Sequence, residues 1–347
     1  MLKLQQLVKL DHLFALTDDY ALLQHAKFSI PARREGYAVD DNARALVFTT
    51  IARTLWPSKK LEAFQHKLMS FLLLMQSEDG RFHNLMDFSH RIIDNPTVGD
   101  YTGRAIWAAG KVINSDMSPG ARAAARLMFD RSLPWVRECV WPRTQAYTCL
   151  GLYERLQAEP EDGNLKLDLK RMADNLVDLY NRNRAENWEW FESIMTYDNP
   201  RFSQALLAAY QSLGDPTYLT VGERTIQFLR QVTTMDDTFV PIGSKGWYPK
   251  DGERALYDQQ PIEAGAMIEA TALAYKLTRS SLYEKTLHQA LDWFFGKNTK
   301  SVRLYVESTG ACCDGITEVG LNQNQGAEST LAFLLGAATC VEGGFQE

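Results

Sequence analysis

Apolar residues recur at helical spacing from one end of this chain to the other, and runs that alternate every second residue are scarce. The pattern predicts helices over 3–24, 41–55, 59–76, 101–114, 119–138, 143–158, 163–183, 200–213, 216–233, 261–278, 280–296 and 326–341. Two kinds alternate. Helices starting near 41, 101, 143, 200, 261 and 326 are rich in small residues and poor in charge, as in Ala205-Leu206-Leu207-Ala208-Ala209. Those between them carry broad charged faces, as in Lys59-Lys60-Leu61-Glu62. Small residues let helices approach closely, so the alternation implies inner helices, each paired with an amphipathic outer one. Turns from inner to outer helices are short, whereas the connections 25–40, 77–100, 184–199, 234–260 and 297–325 are long. Each hairpin reverses direction, which gathers the long loops at one rim, beside the N-termini of the inner helices. The expectation is an all-α (α/α)6 toroid, a single domain over 1–347, with an elaborated cleft on one face.

Composition narrows the function. Over 347 residues the apolar share is 45% and the charged share 23%, ordinary for a globular protein. A net charge of −6 with no basic run argues against a nucleic-acid partner or an anionic membrane. No apolar run is long enough to span a bilayer. Residues 1–10 read as an amphipathic helix rather than a signal peptide, so a cytoplasmic location is expected. Five cysteines, an odd number without a Cys-x-x-Cys spacing or following histidines, fit reduced thiols rather than a zinc site, and no metal is expected. His83 and His90 lie in a long loop without the spacing of metal ligands. No phosphate loop or dinucleotide fingerprint is present, so no cofactor is expected.

Polar residues open every inner helix: Tyr37 to Arg44, Asp100 to Arg104, Arg143-Thr144-Gln145, Tyr197 to Arg201, Tyr257 to Glu263, and Asn322 to Glu328. Capping accounts for any one of them, with Asn199 an apt N-cap before Pro200. Six sets converging with tyrosines, arginines and amides exceed what capping needs. Glycans present many hydroxyls and flat apolar ring faces, and this rim supplies partners for both. Glycosidic hydrolysis uses two carboxyl groups of different acidity. Asp40 and Asp41, at a helix N-terminus that favours the ionised form, suit a base or nucleophile. Glu189 and Glu192 lie among Trp188, Trp190 and Phe191, surroundings that raise a carboxyl pKa and suit an acid; of the two, Glu192 is preferred. Asp258, just outside its helix, is a second acid candidate. Glu263 and Glu328 serve equally well in capping boxes or against sugar hydroxyls. Arg44 and Arg104 suit orienting a carboxylate or a sugar and, equally, an ion pair with a neighbouring aspartate. Tyr37, Trp188, Trp190 and Tyr197 offer ring faces, and Gln259, Gln260, Asn324 and Gln325 offer amides.

Gly36-Tyr37-Ala38-Val39-Asp40-Asp41-Asn42-Ala43-Arg44, Tyr197-Asp198-Asn199-Pro200-Arg201, Asp258-Gln259-Gln260-Pro261-Ile262-Glu263 and Asn324-Gln325-Gly326-Ala327-Glu328-Ser329 resemble a group of bacterial glycosidase-like (α/α)6 proteins. That group belongs to the six-hairpin glycosidase-like superfamily and occurs alone or appended to glycosyltransferase domains. The resemblance implies the toroid more firmly than any reaction. The Asp40-Asp41 pair is also similar to the catalytic pair of endo-α-1,6-mannanases on the same fold. Lanthionine cyclases and prenyltransferases share the toroid but require a Cys/His zinc site, which is not evident here. The leading expectation is a glycoside hydrolase with a carbohydrate substrate, Glu192 or Asp258 protonating the leaving oxygen and Asp41 or Asp40 activating water, with inversion. The alternative is a non-catalytic carbohydrate-binding toroid accessory to glycan assembly. A sugar epimerase ranks last, for want of a histidine pair on the inner helices.

Overall fold

The computed structural model of the protein describes residues 3–345. Two short helices, α1 (Leu4–Leu7) and α2 (Asp11–Ala15), precede α3 (Val39–Leu55), α4 (Lys59–Met75), α5 (Asp100–Ile113), α6 (Pro119–Arg137) and α7 (Pro142–Ala158). Next come α8 (Gly163–Asn183), α9 (Pro200–Leu213), α10 (Pro216–Val232), α11 (Pro261–Thr278), α12 (Ser281–Phe294) and α13 (Ala327–Gly343). Helices α3, α5, α7, α9, α11 and α13 pack in that order, and α13 returns to α3 to close a ring. Outside them, α4 packs on α3, α6 on α5, α8 on α7, α10 on α9 and α12 on α11. The fold is an all-α (α/α)6 toroid.

The inner helices are buried on nearly every face, and their glycines explain how closely they meet. A Cβ on Gly110 of α5 would lie 2.2 Å from the carbonyl oxygen of Gly151 on α7, and one on Gly265 of α11 would lie 2.4 Å from that of Ala332 on α13. Outer helices bury one stripe; on α8 it runs through Leu165, Leu169, Met172, Leu176 and Tyr180. Short turns end in capping side chains: Ser58 Oγ accepts from the Leu61 amide at 3.2 Å, and Asp162 caps α8.

The expected helix over 3–24 does not form as one element. Beyond Ala15, Asp18 Oδ1 accepts from the amides of Tyr20 (2.8 Å) and Ala21 (3.1 Å), a side-chain turn that competes with the helix. Thr17 then pairs with Leu22, and Leu23 with Tyr37. The apolar residues Leu16, Ala21, Leu22 and Leu23 are buried all the same, through an irregular path. Helices α1 and α2 fill the sixth outer place by packing on α13.

The long loops emerge at the N-termini of the inner helices and are stitched to their neighbours. Tyr37–Ala38 pairs with Leu85–Met86, Ile194–Met195 pairs with Tyr248–Pro249, and Gln259 bridges to Ile316. One stretch of rim is low, because α6 and α7 are joined only by residues 138–141. All five cysteines are buried free thiols. Among the described residues no helix is long and apolar enough to cross a membrane.

Candidate active site

The first turns of the inner helices deliver charged side chains to the centre of the ring. Arg44 sits one turn after Asp40 and Asp41 on α3, so helical spacing brings all three together. Its guanidinium donates to Asp41 Oδ1 at 3.0 Å, Asp40 Oδ2 at 3.1 Å and Glu328 Oε2 of α13 at 2.9 Å. From α5, Arg104 donates to the other Asp40 oxygen, to Tyr147 Oη on α7, and to Asp198 Oδ2 at 3.2 Å. Tyr147 also donates to Asp198. Arg201 of α9 lies 3.3 Å from Asp198 Oδ1 and 2.7 Å from Glu269 Oε1. Asp40, Arg104, Asp198, Arg201 and Glu269 thus form a ladder of alternating charge. All of its rungs below Asp40 are buried.

Within this group five carboxylates (Asp40, Asp41, Glu328, Asp198, Glu269) share three guanidiniums (Arg44, Arg104, Arg201), so not every acid can be matched. Burial opposes ionisation of Asp40, but the charges of Arg104 and Arg44 outweigh it and hold its carboxyl below the usual range. Asp198 is held low in the same way, Arg201 and Arg104 overcoming burial. Asp41 goes the other way. Burial, reinforced by the charges of Asp40 and Glu328, pushes its carboxyl up to about 7 although Arg44 touches it. Adjacent residues in the chain therefore carry different protonation at neutral pH.

Asp40, Asp41 and Glu328 line a cavity of about 280 Å³, together with Asn84, His25 and Asp314. An adjoining cavity of about 300 Å³ shares Gln260 and Asp314 and adds Asp258. Asp314 is raised by burial and by the charge of Glu328, while its Oδ2 accepts from Asn324 Nδ2 at 3.2 Å. Asn324 also lies 3.3 Å from His25 Nδ1. A third cavity, about 400 Å³, lies at the low stretch of rim between Asp100, Trp141, Arg143, Glu192 and Tyr197. A larger one, about 610 Å³, occupies the opposite end of the ring, lined by Lys111, Glu154, Lys276 and the ladder's Glu269.

Several expected site residues take other places. Trp190 is fully buried edge-on to Phe191 and Phe202, and Trp188 packs edge-on to Phe228 and Tyr248, so neither presents a face to the cleft. Glu189 turns outward and accepts from Tyr180 of α8. Glu192 reaches the rim, but in the third cavity, where Arg143 Nη1 lies 3.0 Å from it and burial raises its carboxyl. Tyr37 is buried and donates to Asp18. Gln259 lines the cavity that adjoins Asp41's, but its amide is already engaged, accepting from Trp293 Nε1 at 2.9 Å and donating to Thr299 Oγ1 at 3.0 Å. Gln325 is buried, its carbonyl accepting from His12 at 2.7 Å, and it lines neither Asp41's cavity nor the one beside it. Glu263 closes no capping box; its Oε2 accepts from Asn199 Nδ2 at 3.0 Å, and burial pushes its carboxyl up to about 8. Asn199, being helical itself, does not cap α9 with its side chain. Glu328 closes no box either, and turns to Arg44. His83 bonds the Asp94 carbonyl region at 2.8 Å and His90 stacks on Tyr20, both outside these cavities. Asp314 and His25 were not singled out by the sequence pattern; the one available signal was an acid, Asp314, inside the long loop 297–325.

No family model matches the sequence, and no curated protein matches it significantly. Solved structures do match in shape. A sugar epimerase from a ruminal bacterium superposes with a TM-score of 0.75 at 11% identity, covering 97% of this chain and 98% of its own. A D-mannose isomerase gives 0.74 at 13%, with coverages of 97% and 96%. An α-1,6-mannanase from Salegentibacter gives 0.65 at 11%, with 98% and 97%. At such identities the likeness is one of fold, the (α/α)6 toroid.

Proposed function

We propose that this toroid is a carbohydrate-active enzyme that hydrolyses a glycosidic bond in an oligosaccharide or glycan fragment, with Asp41 as the general acid. The observation that supports this most is the divergence of Asp40 and Asp41 within one polar cavity that also holds Glu328 and Asp314. Asp40 has both oxygens engaged by guanidiniums and positions the others. Asp41, protonated up to about pH 7, gives its proton to the leaving glycosidic oxygen as the C1–O bond breaks. Water attacks C1 and passes a proton to Glu328, one of whose oxygens is left free by Arg44. Exchange with solvent then returns Asp41 to the acid and Glu328 to the carboxylate. This single displacement inverts the anomeric centre. Asp314, Asn84 and Gln260 are placed to receive hydroxyls, and Asp258 lines the continuation of the cavity. Relative to the sequence-based expectation, the acid moves from Glu192 or Asp258 to Asp41.

The test is a panel of glycans and aryl glycosides with wild type, Asp41→Asn, Glu328→Gln and Glu189→Gln. Asp41→Asn should lose about 10²-fold or more on natural glycans and less on aryl glycosides with good leaving groups. Glu189→Gln, remote from the cavity, should keep wild-type rates. The kcat/KM of the wild type should fall as pH rises through about 7, when Asp41 loses its proton. Equal turnover by wild type and Asp41→Asn removes the acid assignment, and binding without turnover leaves a carbohydrate-binding toroid.

A second reading is supported by His25, which shares the cavity with Asp41, and by the full-length likeness to an epimerase and an isomerase. Proton transfer at a sugar carbon needs a base and an acid across the substrate, and His25 with Asp41 supplies one of each. Deuterium entering C2 of a free sugar from D2O, without bond cleavage, would favour this reading over hydrolysis.

A further inference from the structure

We infer that the third cavity, at the low stretch of rim, is a second sugar subsite that holds a pyranose unit of an oligosaccharide beyond the bond processed at Asp41. The inference rests on the carbohydrate reading above and extends it from reaction to chain length.

Four observations carry it. The cavity measures about 400 Å³ and is walled by two rings and two carboxylates: Trp141, Tyr197, Asp100 and Glu192. The rings are unlike the other aromatics nearby. Trp188, Trp190 and Phe191 are buried, whereas Trp141 is 60% exposed and Tyr197 39% exposed. An exposed tryptophan beside a polar cleft contributes little to folding and offers a flat apolar face with an indole N–H, matching the C–H face and hydroxyl edge of a pyranose.

The polar groups are fixed before any ligand arrives. Arg143, itself buried, donates to the Tyr197 carbonyl at 2.7 Å and Thr196 Oγ1 at 2.7 Å, and its guanidinium lies over the Tyr197 ring at 4.4 Å. The same guanidinium holds Glu192 at 3.0 Å. Asp100 accepts from Thr144 Oγ1 at 3.0 Å and from Tyr197 Oη at 2.7 Å. Each Asp100 oxygen so bound keeps a second acceptor position for a sugar hydroxyl. Side chains held this way lose little freedom on binding.

Access comes from the topology. Elsewhere long loops pair across the rim, but here only residues 138–141 connect α6 to α7, so the cavity opens sideways to solvent. Side chains tie this cavity to the reacting centre. Tyr197 precedes Asp198, which Arg104 ties to Asp40, the neighbour of Asp41. The two cavities share no lining residue and lie at either end of this string of ion pairs, and a linear glycan running along the rim above its buried members would occupy both.

The experiment compares wild type, Trp141→Ala and Glu192→Gln on oligosaccharides of rising length and on an aryl monosaccharide, with binding measured by calorimetry in the Asp41→Asn background. Circular dichroism confirms folding, which the exposure of Trp141 favours. The expected result is that the ratio of kcat/KM for oligosaccharide to that for aryl monosaccharide falls about tenfold in Trp141→Ala, mostly through KM. Glu192→Gln, which keeps the size but removes the charge, should lower the same ratio less. An unaltered ratio in both variants, with wild type still preferring longer chains, overturns the subsite while leaving the reaction at Asp41 standing. Failure of the wild type to bind or turn over any glycan overturns both.

Discussion

Glu263 is a buried carboxyl with no guanidinium of its own. It takes Asn199 Nδ2 at 3.0 Å, while burial and the charge of Asp198 push it up to about 8 from an ordinary 4.5. Below the ordinary value the folded and unfolded chains both carry the proton. Between about 4.5 and about 8 the unfolded chain has released it and the folded chain has not, so this residue's contribution to stability declines as pH rises through that window. Glutamine is close in shape to the protonated acid. Glu263→Gln should therefore match wild type in urea denaturation near pH 4 and exceed it increasingly up to pH 9, by an amount on the order of a few kcal/mol. A pH-independent difference would mean that Glu263 ionises normally. Arg104 is the opposite case, one cation serving Asp40, Asp198 and Tyr147. Arg104→Gln removes one of the two guanidiniums that serve Asp40 and one of the two that serve the buried Asp198, and should cost about 3 kcal/mol at pH 7, read from the same denaturation curves. Arg104→Lys should not rescue it, since a single ammonium cannot fork between both partners.

Among the elements, α5 and α7 cross at facing glycines. Each would place a new Cβ against the other helix's backbone, Gly110 at 2.2 Å from Gly151 O and Gly151 at 2.7 Å from Ile106 O. Backbone cannot yield as a side-chain tip can, so Gly110→Ala should destabilise by about 3 kcal/mol despite alanine's better helix propensity. A thermal melt that rises instead would mean the helices can part without loss. This contact also explains what was legible before the structure. Small residues and charged faces report which helices are inside, and five of the six pairs follow from them. The first outer helix did not, because Asp18 offers the backbone a local turn that apolar spacing does not reveal. The site was legible where residues sit on helices: Asp40, Asp41, Arg44, Arg104 and Glu328 converge as the spacing implied. It was not legible in the loops, where no period tells which way a side chain faces. Trp188 and Trp190 turned into the core, while Asp314 and His25 entered the cavity.

For the molecule as a whole, the ring has no natural seam, since α13 packs on α3 as its other neighbours pack on one another. The ladder adds ties across the centre, from Asp40 on α3 to Glu269 on α11. Heat should therefore produce one cooperative transition, with fluorescence and circular dichroism coincident, and two resolved transitions would divide the chain into separable units. The same ties bear on how the protein is made. On the ribosome α3 emerges early, carrying Asp40, Asp41 and Arg44. Arg104 follows later, Asp198 and Arg201 later still, and Glu328 arrives only with α13. The charges that the finished ring buries therefore stay hydrated until α13 is available to close it.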